Sequence, residues 1–201
     1  MGLFGPSLKN VWTEFAKEIG GTYYDRGRFR KGYVTYHYKN WEIILDIHTV
    51  SNGETSTIYT RMRALFNNPY GFRFRIYRRH IFARIGKWLG MQDIETGDPE
   101  FDRNFIIKGN QPGKVGALFS DFRVKKIMNQ LGRPQFFVEK KRGFGWKRLP
   151  EGLSQLALLQ NGMVKDKAKL RSYFQLFTTV LDDMANMGVT DKRSIELELK
   201  V

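Results

Sequence analysis

The spacing of hydrophobic residues along the chain predicts helices and strands in turn. Apolar residues at three- and four-residue intervals predict amphipathic helices over residues 7–19 and 166–187. Strict alternation of apolar and polar residues predicts strands over residues 33–38 and 41–48, joined by a tight turn at Lys39 and Asn40. Residues 1–90 are therefore predicted to form a helix followed by an antiparallel meander.

Two more strands are predicted over residues 57–66 and 72–77. Pro69 and Gly71 lie between them and supply turn chemistry, so we expect the two strands to form a hairpin. Its alternation places apolar side chains on one face and arginines on the other. A basic amphipathic helix is expected next, and its apolar stripe contains Ile81, Phe82, Ile85, Trp88 and Leu89.

The second half of the chain predicts a β-α-β-β-α order. Strands are expected over residues 104–108, 135–140 and 154–160, with helical segments over 112–131 and then 166–187. Residues 195–201 alternate as a C-terminal strand does. We expect this strand to pair either with an edge of its own sheet or with a second copy of the chain, which would make a homodimer. We predict a single α+β domain over residues 1–201, an antiparallel sheet with helices on its faces, with a subdivision near residue 91.

Composition narrows the class of protein. The 201 residues are 41% hydrophobic, contain no cysteine and carry a formal net charge of +14. The absence of cysteine excludes disulfides, thiol catalysis and cysteine zinc sites. No apolar run approaches the roughly 20 residues that span a bilayer, and the first residues lack the pattern of a signal peptide. We therefore expect a cytoplasmic protein whose anionic partner is an acidic membrane surface or an acidic protein, with nucleic acid as the weaker alternative.

The positive charge is concentrated in one stretch. Residues 55–92 contain eight lysines and arginines and no acid. The predicted binding residues for an anionic partner are Arg61, Arg63, Arg73, Arg75, Arg78, Arg79, Arg84 and Lys87. Three interpretations of this basic stretch stay open. It could be a solvated face neutralised by Glu42, Asp46 or the later acids, or a surface that meets an acidic membrane. It could also bind nucleic acid with the help of tyrosines such as Tyr33, but this interpretation is the weakest because the ribonucleoprotein sheet motif is absent.

An acidic segment follows the basic one. Its five acids within ten residues are Asp93, Glu95, Asp98, Glu100 and Asp102. They could bind a metal in a hydrolase or transferase, which is the alternative function. Their spacing differs from that of an EF-hand loop, so ion pairs and helix capping are expected instead, with Asp98 as the N-cap of a short helix. No motif in the chain predicts a cofactor, and we expect none.

The segment from Gly97 to Ile107 reads GDPEFDRNFII. It resembles a GD-x-x-FD-x-x-F-x-[IV] segment of an uncharacterised bacterial family of unknown function, many of whose members are membrane-associated. Tyr59-Thr60-Arg61 and Phe119-Ser120-Asp121 fit the same family pattern loosely. The resemblance implies no activity, because none is established for the family. From the residues, we expect a non-catalytic cytoplasmic binding or scaffolding module, with attachment to a membrane surface left open.

Overall fold

The computed structural model describes residues 5–28, 30–51, 53–79, 91–140 and 149–190. Its helices are α1 (Leu8–Ile19), α2 (Pro99–Asn104), α3 (Pro112–Ser120), α4 (Phe122–Gln130) and α5 (Lys167–Asn186). Its strands are β1 (Thr22–Tyr24), β2 (Tyr33–Tyr38), β3 (Trp41–Ser51), β4 (Ser56–Asn67), β5 (Phe74–Arg78), β6 (Gln92–Asp93), β7 (Phe105–Gly109), β8 (Gln135–Glu139) and β9 (Leu153–Asn161). None of these helices is both long and apolar enough to cross a membrane.

The strands form one antiparallel sheet in the order β1-β2-β3-β4-β9-β8-β5-β7-β6. The predicted α+β class is confirmed. Helix boundaries follow local chemistry, since Ser7 accepts a hydrogen bond from the Asn10 amide at the start of α1. Asp166 does the same for α5 through the amides of Ala168 and Lys169, as the sequence predicts.

The predicted hairpin between β4 and β5 is wrong. Both strands exist, but β4 pairs with β3 and β9, whereas β5 pairs with β7 and β8. The β8–β9 hairpin is therefore inserted between them. The turn residues connect two strands that are separated by two others, a pairing that local turn chemistry does not encode.

One face of the sheet carries the main hydrophobic core. Alternate residues of the strands, such as Ile43, Met62 and Leu156, pack against helical residues such as Trp12 and Phe177. A smaller cluster on the opposite face joins Ile44, Leu65, Leu149 and Leu153. The sheet is thus buried on both sides near β3, β4 and β9, although alternation predicts an arginine face there.

Two predicted elements lie outside the described residues. They are the basic amphipathic helix, which includes Arg84, Lys87 and Trp88, and the C-terminal strand over residues 195–201. The helix and the homodimer through the C-terminal strand both stay predictions.

Candidate anion-binding surface

Two of the predicted binding arginines are internal. The antiparallel register sets Asp46 opposite Arg61, and the Asp46 carboxylate accepts hydrogen bonds from Arg61 Nε at 2.7 Å and Arg61 Nη2 at 2.6 Å. Arg63 Nη2 approaches the same carboxylate to 3.1 Å. Asp46, Arg61 and Arg63 are only 3%, 7% and 2% exposed. Asp46 thus neutralises both arginines, as one interpretation predicts, but the expected solvated face is wrong here, because the three residues are buried in the sheet.

His48 lies beside this ion cluster, two residues after Asp46 in β3. Burial lowers the pKa of His48 to about 4, and the positive charge of Arg61 acts in the same direction. Near neutral pH the imidazole is therefore neutral. His48 therefore supplies no positive charge for an anionic partner.

We expect His48→Gln to flatten the pH dependence of the unfolding free energy. The pKa of His48 is about 4 in the folded chain and about 6.5 in the unfolded chain. Between these two values only the unfolded chain binds the proton, so the free energy of unfolding is highest above pH 6.5 and falls as the pH drops towards 4. Because the imidazole is part exposed, the loss should reach only about 1 to 2 kcal/mol. Urea titrations at several pH values measure it, with the exposed His37→Gln as control. A variant as acid-sensitive as the wild type would refute the prediction.

Arg75 lies on the same face of the sheet as Arg63. The register runs from Arg63 to Ala157, then to Phe137 and then to Arg75. The Arg75 guanidinium lies 4.8 Å from the centre of the Phe137 ring, a cation–π contact. Burial lowers the pKa of Arg75, which remains protonated at neutral pH because arginine starts so high. The Arg75 side chain therefore serves mainly to pack against the sheet.

Arg78 and Arg79 stabilise the ends of helices. Arg78 donates to the carbonyl oxygens of Asn129, in the last turn of α4, and of Leu131 and Gly132, just beyond that helix, at distances between 2.7 and 3.3 Å. Arg79 donates to the carbonyl oxygens of Asp102 and Arg103 at the end of α2. A cation at a helix C-terminus satisfies free carbonyl groups and complements the helix dipole. Both arginines therefore have a structural role.

Among the predicted arginines that the structure describes, Arg73 differs because its guanidinium makes no hydrogen bond or ion pair with another described residue. It lies beside residues 68–72, the loop between β4 and β5. We call this loop, together with Arg73, Lys114 and Lys140, the Tyr70 corner. Tyr70 lies at the tip of this loop and is 68% exposed. Lys114 Nζ lies 5.7 Å from the centre of the Tyr70 ring, and Lys140 Nζ lies beside Gly71.

Two asparagines fix the shape of this loop. The buried Asn68 side chain binds both the amide and the carbonyl of Phe72, each at 2.8 Å, and donates to Ser154 Oγ at 2.7 Å. The Asn110 side chain accepts from the Arg73 amide and donates to the Gly71 carbonyl. Gly71 has a φ of 63°, a value that glycine adopts without strain. These side-chain hydrogen bonds therefore hold the loop that carries Tyr70 in a defined conformation.

The three cations come from distant parts of the chain. Arg73 precedes β5, Lys114 lies in the first turn of α3, and Lys140 follows β8. In the part of the chain that the structure describes, none of the three makes an ion pair. Of these residues, the sequence predicts only Arg73. An aromatic residue inside the Pro69–Gly71 turn is the available signal for Tyr70, whereas Lys114 and Lys140 give none before the fold joins them.

The acidic segment has structural partners. Asp98 accepts the amides of Glu100 and Phe101, which confirms the predicted N-cap of α2, and it pairs with Lys125 at 3.0 Å. Asp102 accepts from the amide and hydroxyl of Thr96. Asp93 pairs with Lys108. Within the described ranges, no group of three histidines or acids is arranged to hold a metal ion.

Comparisons with known proteins do not identify a family for this chain. No family model matches the chain, and no curated protein matches it either. Among solved structures, the crystal structure of the mycobacterial trehalose monomycolate transport factor A, TtfA, is similar with a TM-score of 0.47 and 10% sequence identity. The alignment covers 88% of this chain and 95% of that chain. These results assign the chain to no family.

Proposed function

We propose that the chain is a non-catalytic binding module that docks on an acidic lipid surface through the Tyr70 corner. The observation that supports this function is the position of Lys114 and Lys140 beside a fixed loop that Arg73 directly follows and whose tyrosine is 68% exposed. Cations that pair with no acid among the described residues leave a local positive potential. Such a potential attracts a surface of negative charges.

The aromatic residue favours a lipid surface over the other anionic partners. Pro69 and Tyr70 are both exposed, so the loop tip can enter an interface without repacking the core. A tyrosine ring is apolar at its body and polar at its hydroxyl, which suits the boundary between headgroups and acyl chains. The lysine stems can lie along that boundary while their ammonium groups meet lipid phosphates.

The size of the electrostatic attraction follows from the number of cations. Each lysine or arginine near an acidic bilayer contributes about 1 kcal/mol. Three cations therefore contribute about 3 kcal/mol, which is on the order of 100-fold in the partition coefficient. Binding should weaken with salt, because the contacts are exposed and screened. Docking is thus expected to be reversible and peripheral.

We expect the triple variant R73Q/K114Q/K140Q to bind acidic vesicles about 10- to 100-fold more weakly than the wild type. Co-sedimentation with vesicles of phosphatidylserine and phosphatidylcholine measures the partition coefficient. Vesicles of phosphatidylcholine alone show the part that does not depend on lipid charge. Circular dichroism confirms that the variant is folded.

The matched control is R26Q/R28Q/K31Q, which removes the same charge from the β1–β2 loop. It should reduce vesicle binding by less than about threefold, as expected for a weaker long-range attraction. Equal losses in the two triple variants would show that net charge alone attracts the chain to vesicles, and the proposal would then fail. A wild type that binds no better to acidic than to neutral vesicles would also overturn it.

A further inference from the structure

A second cluster of cations lies in the loop between β1 and β2, residues 25–32. The register pairs Tyr24 with Tyr33 at the base of this loop. Their rings are stacked, with centroids 4.9 Å apart and planes inclined by 13°. Tyr33 packs against the cluster of Ile44 and Leu65, so the stack is fixed on its inner side. Tyr24 is on the edge strand and is 44% exposed.

The loop itself is strongly basic. Arg26, Arg28, Arg30 and Lys31 lie within six residues. The one acid of the loop, Asp25, is paired with Lys9 at 2.5 Å and accepts the Gly27 amide at 3.0 Å. None of the four cations forms an ion pair with any residue that the structure describes. The positive charge of the loop is therefore available to a ligand.

Close packing holds the end of this loop against strand β1. A Cβ added to Gly32 would lie 2.2 Å from the hydroxyl of Tyr23 and 2.6 Å from the carbonyl oxygen of Tyr24. Only glycine allows that approach. Gly27 has a φ of 77° next to the Asp25 turn. The four cations thus lie in a loop that begins directly after Tyr24 and ends at Gly32, which packs against β1 and directly precedes Tyr33.

We infer that the Tyr24–Tyr33 stack and the basic β1–β2 loop form a binding site for single-stranded nucleic acid. A base stacks on the exposed face of Tyr24 and extends the existing stack, and its neighbouring phosphates meet the arginines. Every base has a π-face, so this recognition tolerates any sequence. Phosphate contacts by Arg26, Arg28, Arg30 and Lys31 supply the salt-dependent part of the affinity.

The position of the aromatic residue distinguishes this site from the Tyr70 corner. Tyr24 stands in a strand at the base of its loop, next to a parallel ring, which suits stacking on a flat base. Tyr70 stands alone at a loop tip. The two sites are separated in the sheet, because β2 begins at Tyr33 level with the middle of β3, whereas the Tyr70 loop follows the end of β4 and leads to β5, beyond β9 and β8. The inference does not rest on the proposed lipid docking.

The experiment compares two fluorescent probes, an oligothymidylate and an abasic oligonucleotide of equal length, by anisotropy with the full chain. We expect the wild type to bind oligothymidylate about tenfold more tightly than the abasic probe, since only the former offers a base to stack. Tyr24→Ala should remove that preference, whereas Tyr24→Phe, which keeps the ring, should retain it. Circular dichroism checks the fold of each variant.

Charge is tested on the same probes. R26Q/R28Q/K31Q should weaken binding of both and reduce the slope of log K against log salt by about 2, at about 0.7 for each lost contact to a single strand. R73Q/K114Q/K140Q should leave oligothymidylate binding within about threefold of the wild type, and Tyr24→Ala should leave vesicle binding unchanged. Equal affinity for the two probes, or a Tyr24→Ala variant that keeps the preference, would overturn the inference. Loss of vesicle binding in Tyr24→Ala would also overturn it, since the stack would then serve a lipid surface.

Discussion

Asp46→Ala is expected to lower the free energy of unfolding by about 3 to 5 kcal/mol. The substitution removes the carboxylate that both Arg61 and Arg63 contact in a part of the sheet where all three residues are buried. Taking a guanidinium out of water is costly, and the nearby carboxylate offsets that cost. Urea denaturation followed by circular dichroism gives the difference directly.

Asp182→Ala is the matched control for this effect. Asp182 also contacts two groups, the Lys39 ammonium at 2.5 Å and the Tyr38 hydroxyl at 2.7 Å, but the Lys39 ion pair is largely exposed. An exposed ion pair contributes about 0 to 1 kcal/mol, because water and salt screen it. If Asp46→Ala destabilised the chain no more than Asp182→Ala does, the Asp46 cluster would not be the buried structural element described above.

Asn68→Ala should have the second largest effect, a loss of about 2 to 4 kcal/mol. The Asn68 side chain makes three hydrogen bonds, and its removal deprives the Phe72 amide and carbonyl, together with Ser154, of their partner in the interior. A buried polar group that loses its partner costs more than an exposed one. Denaturant titration measures the loss, and the variant should also bind acidic vesicles more weakly when it is still folded.

Gln111→Ala provides the comparison. Its side chain donates one exposed hydrogen bond to the Tyr70 carbonyl at 3.2 Å, so its removal should cost less than about 1 kcal/mol. If Asn68→Ala and Gln111→Ala were equally mild, the Tyr70 loop would not depend on its buried clamp. An Asn68→Ala variant that kept its stability yet lost vesicle binding would likewise contradict the role of Asn68 as a structural clamp.

The sequence predicts the local elements well. Alternation in β3 places Trp41, Ile43 and Leu45 on the side of the main core, and the structure confirms this. The cap of α5 at Asp166 is also confirmed. These features depend on neighbouring residues, so the pattern within a short window is sufficient to predict them.

Long-range placement is where the predictions fail. Turn chemistry at Pro69 and Gly71 indicates a bend, but it does not indicate that β9, about 90 residues later in the chain, pairs with β4. Alternation indicates which face Arg61 and Arg63 share, but not that this face is buried, because a strand with arginines on one side ordinarily turns that side to water. The burial becomes tolerable only through Asp46.

The candidate surface shows the same limit. Arg73 belongs to the basic stretch that composition identifies, but Lys114 and Lys140 are separated from it by 41 and 67 positions in the sequence. The pairing of β5 with both β7 and β8 brings these elements together. No short window of the sequence contains these long-range strand pairings. A count of charges alone therefore selects arginines that are internal or that bind the ends of helices.

The most direct test of lipid docking through the Tyr70 corner uses the absence of cysteine from the chain. A single cysteine at Tyr70 or at Met163, which is 42% exposed beyond the opposite end of β9, carries an environment-sensitive dye. On addition of acidic vesicles, we expect a blue shift of the dye at position 70 and none at position 163, with reversal by salt. A shift at position 163 alone, or equal shifts at both positions, would contradict docking through the Tyr70 corner.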